Sequence, residues 1–548
     1  MATAHAHAAL VPRLAGVRVL IAHGYLLHGT GSNVYNANLA AALVRLGHEV
    51  HLLCQDRAPE ELSFVDAVGD WEGGALTVRV LREPVRCTVY RPALAGLLPV
   101  YVADRYDGIE ARPFSELSDD EVAAYVDANV RAVRDVVTRV QPQVALANHL
   151  VMAPLVLARA LKGVPYAVKI HGSALEYTVV PEPERFLPAA REGLAPARGL
   201  LVGSRHTAER LWTVLEDPEL PARTRLGPPG VDVGRFVPRD PAAARAGLAQ
   251  LAATVERRAG LLPQSDGSEE PSSAFARDDR EAAVALQALV QAPEDRLVAF
   301  VGKLIVSKGI DLLVAAWPLV LAAEPRARLV VVGFGAYRST VERLIAALAD
   351  GDLATVEAIA AEGRSAEGAS GDGGRLAHLQ AFLDALDDQE RAAYLAAARG
   401  LRERIVLTGR LDHEELIDLL PACEAQVVPS TFPEAFGMVA AEAAACGALP
   451  VCSDHSGLAE VAGALALTVP ETIRPLLAFP VGPEAVRGIA ERLIAWLVVP
   501  AEVREATREA LVETVRERWS WEGVARGVIA AAEGRLDELP HPPEIANA

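Results

Sequence analysis

Short runs of consecutive apolar, often β-branched residues alternate along this chain with longer stretches whose apolar positions recur every three or four residues. The first pattern is that of a strand buried on both faces of a parallel sheet, the second that of a helix packed on such a sheet. The run Val17–His23 (VRVLIAH) predicts a strand and the glycine-bearing His28–Asn33 (HGTGSN) a loop. VYNANLAAALVRLG then predicts a helix ending at Gly47, and His48–Cys54 (HEVHLLC) a second strand. Strand, loop, helix and parallel strand make one βαβ unit. The alternation continues with a helix over Asp119–Val140, a strand at Val144–Ala147, a helix near Pro154–Lys162, strands at Tyr166–Ile170 and Arg198–Ser204, and a helix opened by TAERLW. The turn-rich Gly227–Phe236 (GPPGVDVGRF) reads as a linker.

Beyond it, RLVAFVGK, RLVVVGFG, IVLTGRL, EAQVVPS and ALPVCS read as strands, with helical sequence such as DLLVAAWPLVLAA between them. Two segments interrupt. Asp240–Arg296 is rich in Ala and charge and contains QSDGSEEPSS, a tract expected to be partly disordered because it has no apolar surface to offset its ordering entropy. Residues 347–400 carry a second tract, GRSAEGASGDGGR. A helix over Glu502–Glu517, the apolar WSWEGVARGVIAAAEG and a Pro-rich tail close the chain. The expectation is an α/β protein of two doubly wound, Rossmann-like domains, 17–230 and 231–510, with insertions at about 240–296 and 347–400. A flexible N-terminus (1–16), a last helix (511–533) and a tail (534–548) flank them.

At 548 residues the chain exceeds what one hydrophobic core serves, which agrees with two domains. The formal charge of −19, from 53 Lys and Arg against 72 Asp and Glu, argues against general nucleic-acid binding, which needs clustered cations. Five cysteines, Cys54, Cys87, Cys423, Cys446 and Cys452, form no CxxC, which points away from a disulfide framework or structural zinc and towards a reduced cytoplasm. The N-terminal MATAHAHAALVPRLAG lacks the basic and apolar regions of a signal peptide, and its His5 and His7 read as tail rather than metal ligands. No apolar run reaches the roughly 18 residues of a spanning helix.

Open parallel sheets bind ligands at the carboxyl ends of their strands, so the residues after each strand are the candidates. Gly29-Thr30-Gly31 precedes a helix and reads either as a phosphate contact or as a bare tight turn. Gly302-Lys303 and Lys308-Gly309 frame another such loop; the two lysines could hold a diphosphate or simply be solvated. His171 directly follows the strand YAVKI and is open to an acid, base, donor or structural role. In PEAFGMVAAEAAACG, Glu434 falls in the loop after EAQVVPS, and Glu442 within the first two turns of a helix starting near Gly437–Met438. Carboxylates accept from hydroxyls and the helix amides suit a phosphate. A helix-dipole acid and an exposed helical Glu would explain Glu434 easily, and explain Glu442, among small apolar neighbours, less well. Eight helical residues separate Cα atoms by about 12 Å, more than the roughly 5–5.5 Å between the carboxyls of a retaining glycosidase. The spacing suits two ends of one extended ligand.

As an ordered set these motifs resemble the retaining glycosyltransferases of family four (glycosyl transferases group 1), which have the GT-B fold. Glu434…Glu442 is similar to the family's E-x7-E, and Gly302-Lys303-Leu304…Lys308-Gly309 to its donor-phosphate loop, with Lys303 where an Arg is common. Pro229-Gly230-Val231-Asp232, VVVGFG, IVLTGRL, GHEV, His171-Gly172 and SRHTAERL fall in family order. The resemblance implies that Lys303 and Lys308 bind the donor diphosphate, Glu442 the nucleotide ribose, and Glu434 the transferred sugar with the amides of Ala435, Phe436, Gly437 and Met438. It implies His171 near the anomeric carbon; Gly29, Thr30, Gly31 and Gly302 at the diphosphate; and Gly333, Arg410 and Leu411 near the base. It further implies two domains facing across a cleft that closes on substrate, the N-terminal one binding the acceptor, and a last helix packing back on the N-terminal domain. Asn33, Tyr35, Tyr101 and Asp104 are the acceptor candidates. The implied activity is transfer of a sugar, with retention, from a nucleotide-sugar donor (UDP-sugar favoured, GDP-mannose compatible) to a small-molecule, glycan or lipid hydroxyl. No cofactor, metal, nucleic acid or membrane span is implied, and a homo-oligomer is compatible. A nucleotide-sugar epimerase, hydrolase or phosphorylase, or a non-catalytic scaffold, would share the fold.

Overall fold

The computed structural model describes residues 16–28, 31–94, 96–101, 110–261, 277–367 and 374–542. The chain divides into two compact units. Unit 1 comprises Met1–Val202, Arg210–Gly227 and Val524–Ala548; unit 2 comprises Gly203–Glu209 and Pro228–Gly523. The chain therefore passes between the units at Val202/Gly203, Glu209/Arg210, Gly227/Pro228 and Gly523/Val524, and its last stretch belongs to the first unit.

Unit 1 contains strands β1 (Arg18–Ala22), β2 (Glu49–Leu53), β3 (Ala67–Glu72), β4 (Ala75–Val80), β5 (Cys87–Arg91), β6 (Leu97–Val100), β7 (Glu110–Pro113), β8 (Val144–Asn148), β9 (Tyr166–Ile170), β10 (Gly199–Val202) and β11 (Thr224–Leu226). All but β6 and β7, which pair with each other, form one sheet of order β11-β10-β9-β8-β1-β2-β5-β3-β4. It is parallel except for the β3–β4 hairpin. The central strands are buried along their whole length and apolar but for Asn148 and Lys169, as strands covered on both faces tend to be. Within the segment holding β3 to β7, β4 is largely exposed, which is why the hydrophobic pattern passes over it. The helix Asp119–Val140 matches its expected span because Ser118 and Glu121 form a reciprocal capping box at its start. At the end of the chain, Leu226 N–H donates to the Pro540 carbonyl (2.8 Å) and Arg225 Nε–H to that of Leu536 (2.9 Å), so residues after Gly523 extend the β11 edge of this unit.

Unit 2 holds β12 (Arg296–Val301), β13 (Ala327–Val332), β14 (Ile405–Gly409), β15 (Cys423–Val428), β16 (Leu449–Ser453) and β17 (Ala478–Phe479), parallel in the order β14-β13-β12-β15-β16-β17. The two expected insertions carry more order than their composition suggested. Helices Pro241–Leu261 and Asp279–Val290 bury Leu248, Leu251, Val255, Leu286 and Leu289 in the unit 2 core. Arg258 and Arg277 both pair with Asp279 and Glu415, tying the two helices to the body of the unit. Helices Leu353–Glu362, Ala377–Asp384 and Asp388–Ala398 bury Ile359, Phe382 and Tyr394, whose hydroxyl donates to Ala315 O at 2.8 Å. Apolar residues spaced among alanines and charges are enough to dock these helices. The tract QSDGSEEPSS, the tail beyond 542 and the first 15 residues lie outside the described residues. All five cysteines are buried and free, and burial pushes the Cys54 thiol up to about 12, so it is unreactive. Among the described residues no helix is long and apolar enough to cross a membrane.

Candidate active site

In a doubly wound sheet the ligand crevice opens where the strand order reverses. In unit 2 that reversal lies between β12 and β15. The segment after β12 carries Gly302, Lys303 and Lys308, and the segment after β15 carries Ser430 and Glu434. The fold thus brings together residues more than a hundred positions apart. Lys308 Nζ pairs with Glu434 Oε1, and Ser430 Oγ–H donates to the same oxygen at 2.7 Å. Glu434 N–H donates to Ser456 Oγ (2.9 Å), and His455 Nε2–H holds the Ser430 carbonyl (2.8 Å). The loop bearing Glu434 is therefore braced by the segment after β16.

Two glycines allow the backbone to crowd here. Gly309 sits at φ +67°, and a Cβ on it would stand 2.0 Å from the Pro429 carbonyl oxygen. A Cβ on Gly333, just beyond β13, would stand 2.2 Å from Gly302 O. Val306 N–H, in the same loop, donates to Glu367 Oε1, a contact supplied by the second insertion. The helix after Glu434 spans Met438–Ala445, so Ala435, Phe436 and Gly437 lead into its first turn, and Glu442 lies in its second. Glu442 is 3% exposed and its Oε1 accepts from His413 Nε2–H at 2.7 Å, while the His413 ring packs on Phe236 at 5.0 Å. Burial works against the charged imidazole, but the Glu442 carboxylate outweighs it and raises the His413 pKa. Arg410 lies over the Phe334 ring (5.8 Å) and approaches Asp412 (3.4 Å); Leu411 is buried. Lys303, Lys308, Glu434, Glu442, Gly302, Gly333, Arg410, Leu411 and Ala435–Met438 all belong to this unit.

In unit 1 the strand order reverses between β1 and β8. Asn148, the last residue of β8, bonds Asn36 in both directions (3.1 and 2.9 Å) and accepts from His171 Nε2–H at 2.8 Å. That bond places the proton on Nε2 and leaves Nδ1 an acceptor. The His171 pKa is driven well below the ordinary value by burial, then by His149, Lys169 and His23. His149 packs at a tilt against Tyr101 (4.4 Å) and His171 (4.8 Å), and neither of its ring nitrogens finds a partner among the described residues. Lys169 is 2% exposed; its Nζ donates to Gly227 O at 2.6 Å, and burial brings its pKa to about 7.

Gly31 caps the helix Ser32–Arg45, and Tyr35 edges onto His171 at 5.0 Å. Of the acceptor candidates, Asn33 and Tyr101 are buried and committed within the unit. Asn33 bonds His28 O (2.9 Å) and His23 (3.2 Å), and the Tyr101 hydroxyl donates to Val151 O. Gly29, Thr30 and Asp104 lie outside the described residues. Sequence reasoning did not single out Ser430, His413, His455, Asn148, His149 or Lys169. His149 and Asn148 were findable, since they end an apolar strand at a switch point; Ser430 and His413 matter only through partners brought in by folding.

Residues 30–219 match the profile of the glycosyl transferase 4-like domain and residues 382–497 that of glycosyl transferases group 1. A GDP-mannose-dependent monoacylated alpha-(1-6)-phosphatidylinositol monomannoside mannosyltransferase of Corynebacterium glutamicum is 27% identical over 232 residues, 41% of this chain and 44% of that protein. A D-inositol 3-phosphate glycosyltransferase of Kribbella flavida is 26% identical over 491 residues, 86% of this chain and 92% of that protein. The match thus spans less than half of the first relative and most of the second. The sucrose-phosphate synthase of Thermosynechococcus elongatus superposes with a TM-score of 0.54 at 20% identity, covering 95% of this chain and 100% of that one, a likeness of fold. With both halves matched in order, on two doubly wound sheets, the chain belongs to the glycosyl transferases group 1 family and has the GT-B fold.

Proposed function

We propose that this protein is a retaining glycosyltransferase that moves a sugar from a nucleotide-sugar donor, a UDP-sugar in the favoured reading, to a hydroxyl acceptor. The observation that carries the reading is the Lys308–Glu434–Ser430 cluster at the unit 2 switch point. Departure of a nucleoside diphosphate places negative charge on its phosphates. Lys303, Lys308 and the amides opening the helix at Met438 supply preorganised positive potential for it, the form of stabilisation that contributes most in such sites. Glu434, held by Ser430, offers acceptor oxygens to the sugar hydroxyls, and binding of the diphosphate would draw Lys308 partly away from it. Glu442, oriented by His413, would take the ribose hydroxyls. Attack on the face the leaving group departs from lets the acceptor proton pass to the donor phosphate, so a neutral His171 serves as hydrogen-bond partner rather than strong base. No metal enters the proposed chemistry.

The relatives' names supply first substrates: GDP-mannose for one and D-inositol 3-phosphate for the other. Purified protein is incubated with UDP-sugars and GDP-mannose, with and without acceptors, and products are identified by mass and anomeric configuration. The expected result is acceptor-dependent formation of an α-linked product from an α-linked donor. Acceptor-independent release of free sugar, or an inverted product, would overturn the reading.

A further inference from the structure

We propose that unit 2 carries a second ligand site, for an organic phosphate, at the amino-terminal edge of its sheet. A cavity of about 820 Å³ opens there, between the first turns of helix Pro241–Leu261, the starts of β12 and β15, and helix Ala501–Trp519. Its size falls in the range of about 300–1,000 Å³ typical of small-molecule pockets. It is remote from Lys303 and Lys308. Arg296 in its wall begins β12, and the lysines follow that strand's other end, about 20 Å away at the rise of an extended strand.

The charge in this cavity runs against that of the chain. Five arginines line it, Arg239, Arg245, Arg296, Arg504 and Arg508, against three carboxylates, in a protein whose net charge is −19. Three of these guanidinium groups are committed: Arg239 to Asp418 (2.7 Å), Arg296 to Glu424 (3.0 Å) and Glu324 (3.3 Å), and Arg504 to Glu424. Arg245 and Arg508 have no carboxylate partner among the described residues; Arg508 donates only to the Arg239 carbonyl, at 3.1 Å. Arg504 Nε is buried with no hydrogen-bond partner among those residues, a donor short of an acceptor. Guanidinium forks match phosphate oxygens, and apart from the three carboxylates the remaining wall is largely apolar, with Leu248, Leu289, Leu297 and Trp496 able to cover the body of an ester. A single concave hollow of this volume suits a small phosphate ester and not a polymer. The wall from Pro241 to Ala249 comes from the first insertion, so the insertion builds the site.

The test uses the full chain carrying Lys308→Ala, which weakens phosphate binding at the carboxyl ends of the strands. Glucose 6-phosphate and uridine monophosphate are titrated separately by calorimetry, the two arms separating a sugar ester from a nucleotide, with inorganic phosphate beside them. At least one ester should bind at a single site, more tightly than inorganic phosphate, and Arg245→Ala/Arg508→Ala should weaken it by about tenfold or more. Ala246→Glu, at an exposed position in the cavity wall, should abolish binding while leaving the melting curve unchanged. It decides the matter if the double variant fails to fold. Absence of ester binding at millimolar concentration, or binding that survives Ala246→Glu, would overturn the proposal.

Discussion

A lysine and a glutamate on different strand ends share one contact in unit 2, and most of the proposed chemistry hangs on it. Lys308→Ala removes a positive charge facing the leaving diphosphate, and a decrease in kcat of about 10²–10³ is expected in steady-state transfer assays. Glu434→Gln keeps an acceptor for Ser430 but loses the ion pair, and should fall in the same range; full activity in either variant would refute the site. Glu442→Gln should act on donor affinity, raising KM about tenfold with little change in kcat. The Glu442–His413 pair also has a sign in pH. A histidine whose folded pKa is raised stabilises the fold fully below its unfolded value of about 6.5, and that contribution disappears as pH rises through the folded value. The gap in Tm between the native protein and His413→Ala should therefore narrow as pH rises above about 6.5 in thermal melts.

At the scale of elements, the donor loop depends on backbone crowding that only glycine permits. Gly309→Ala adds a methyl where the Pro429 carbonyl stands and forces an L-residue to φ +67°, a cost of about 1–3 kcal/mol measurable by denaturant unfolding. The inserted helix Pro241–Leu261 is held by its buried leucines, and Leu251→Ala should cost about 2–5 kcal/mol if that helix belongs to the unit 2 core as its burial indicates. In unit 1, the histidines that follow β1, β8 and β9 are buried and uncharged, His23 with its pKa driven down to about 4 by burial. Unfolded chains bind protons on these rings before folded ones do, so stability should fall as pH drops from about 6.5 towards 4. Replacing His149 by Gln should flatten that acid limb in a Tm-versus-pH series.

For the whole molecule, the decisive architectural fact is that the chain's end rejoins its beginning. Deleting residues after Trp519 removes the segment that bonds Leu226 and Arg225 and that lies against Gly199. The truncated chain should show a lowered first unfolding transition by calorimetry, and a truncation that melts like the full chain would count against this. The strand pattern was legible across both units where strands are buried on both faces, because such strands read as largely apolar runs; Tyr166–Ile170 was placed without error despite Lys169 within it. It was not legible over β3 to β7, nor in the helices of the insertions, where alanine and charge hide a narrow buried stripe.

The order of the doubly buried strands and the helices between them, the positions of the candidate acids and lysines, and membership in the family follow from sequence alone, since each rests on local periodicity and on residues adjacent in the chain. What only the tertiary structure decided is which of those residues meet. The strand orders put Lys308 on Glu434, His413 on Glu442 and His171 on Asn148, contacts that span 126, 29 and 23 residues of chain. The same folding gathers arginines from several separate segments around one cavity. Spacing along the chain carries no information about such meetings, because the sheet topology, not the local sequence, sets which strand ends are neighbours.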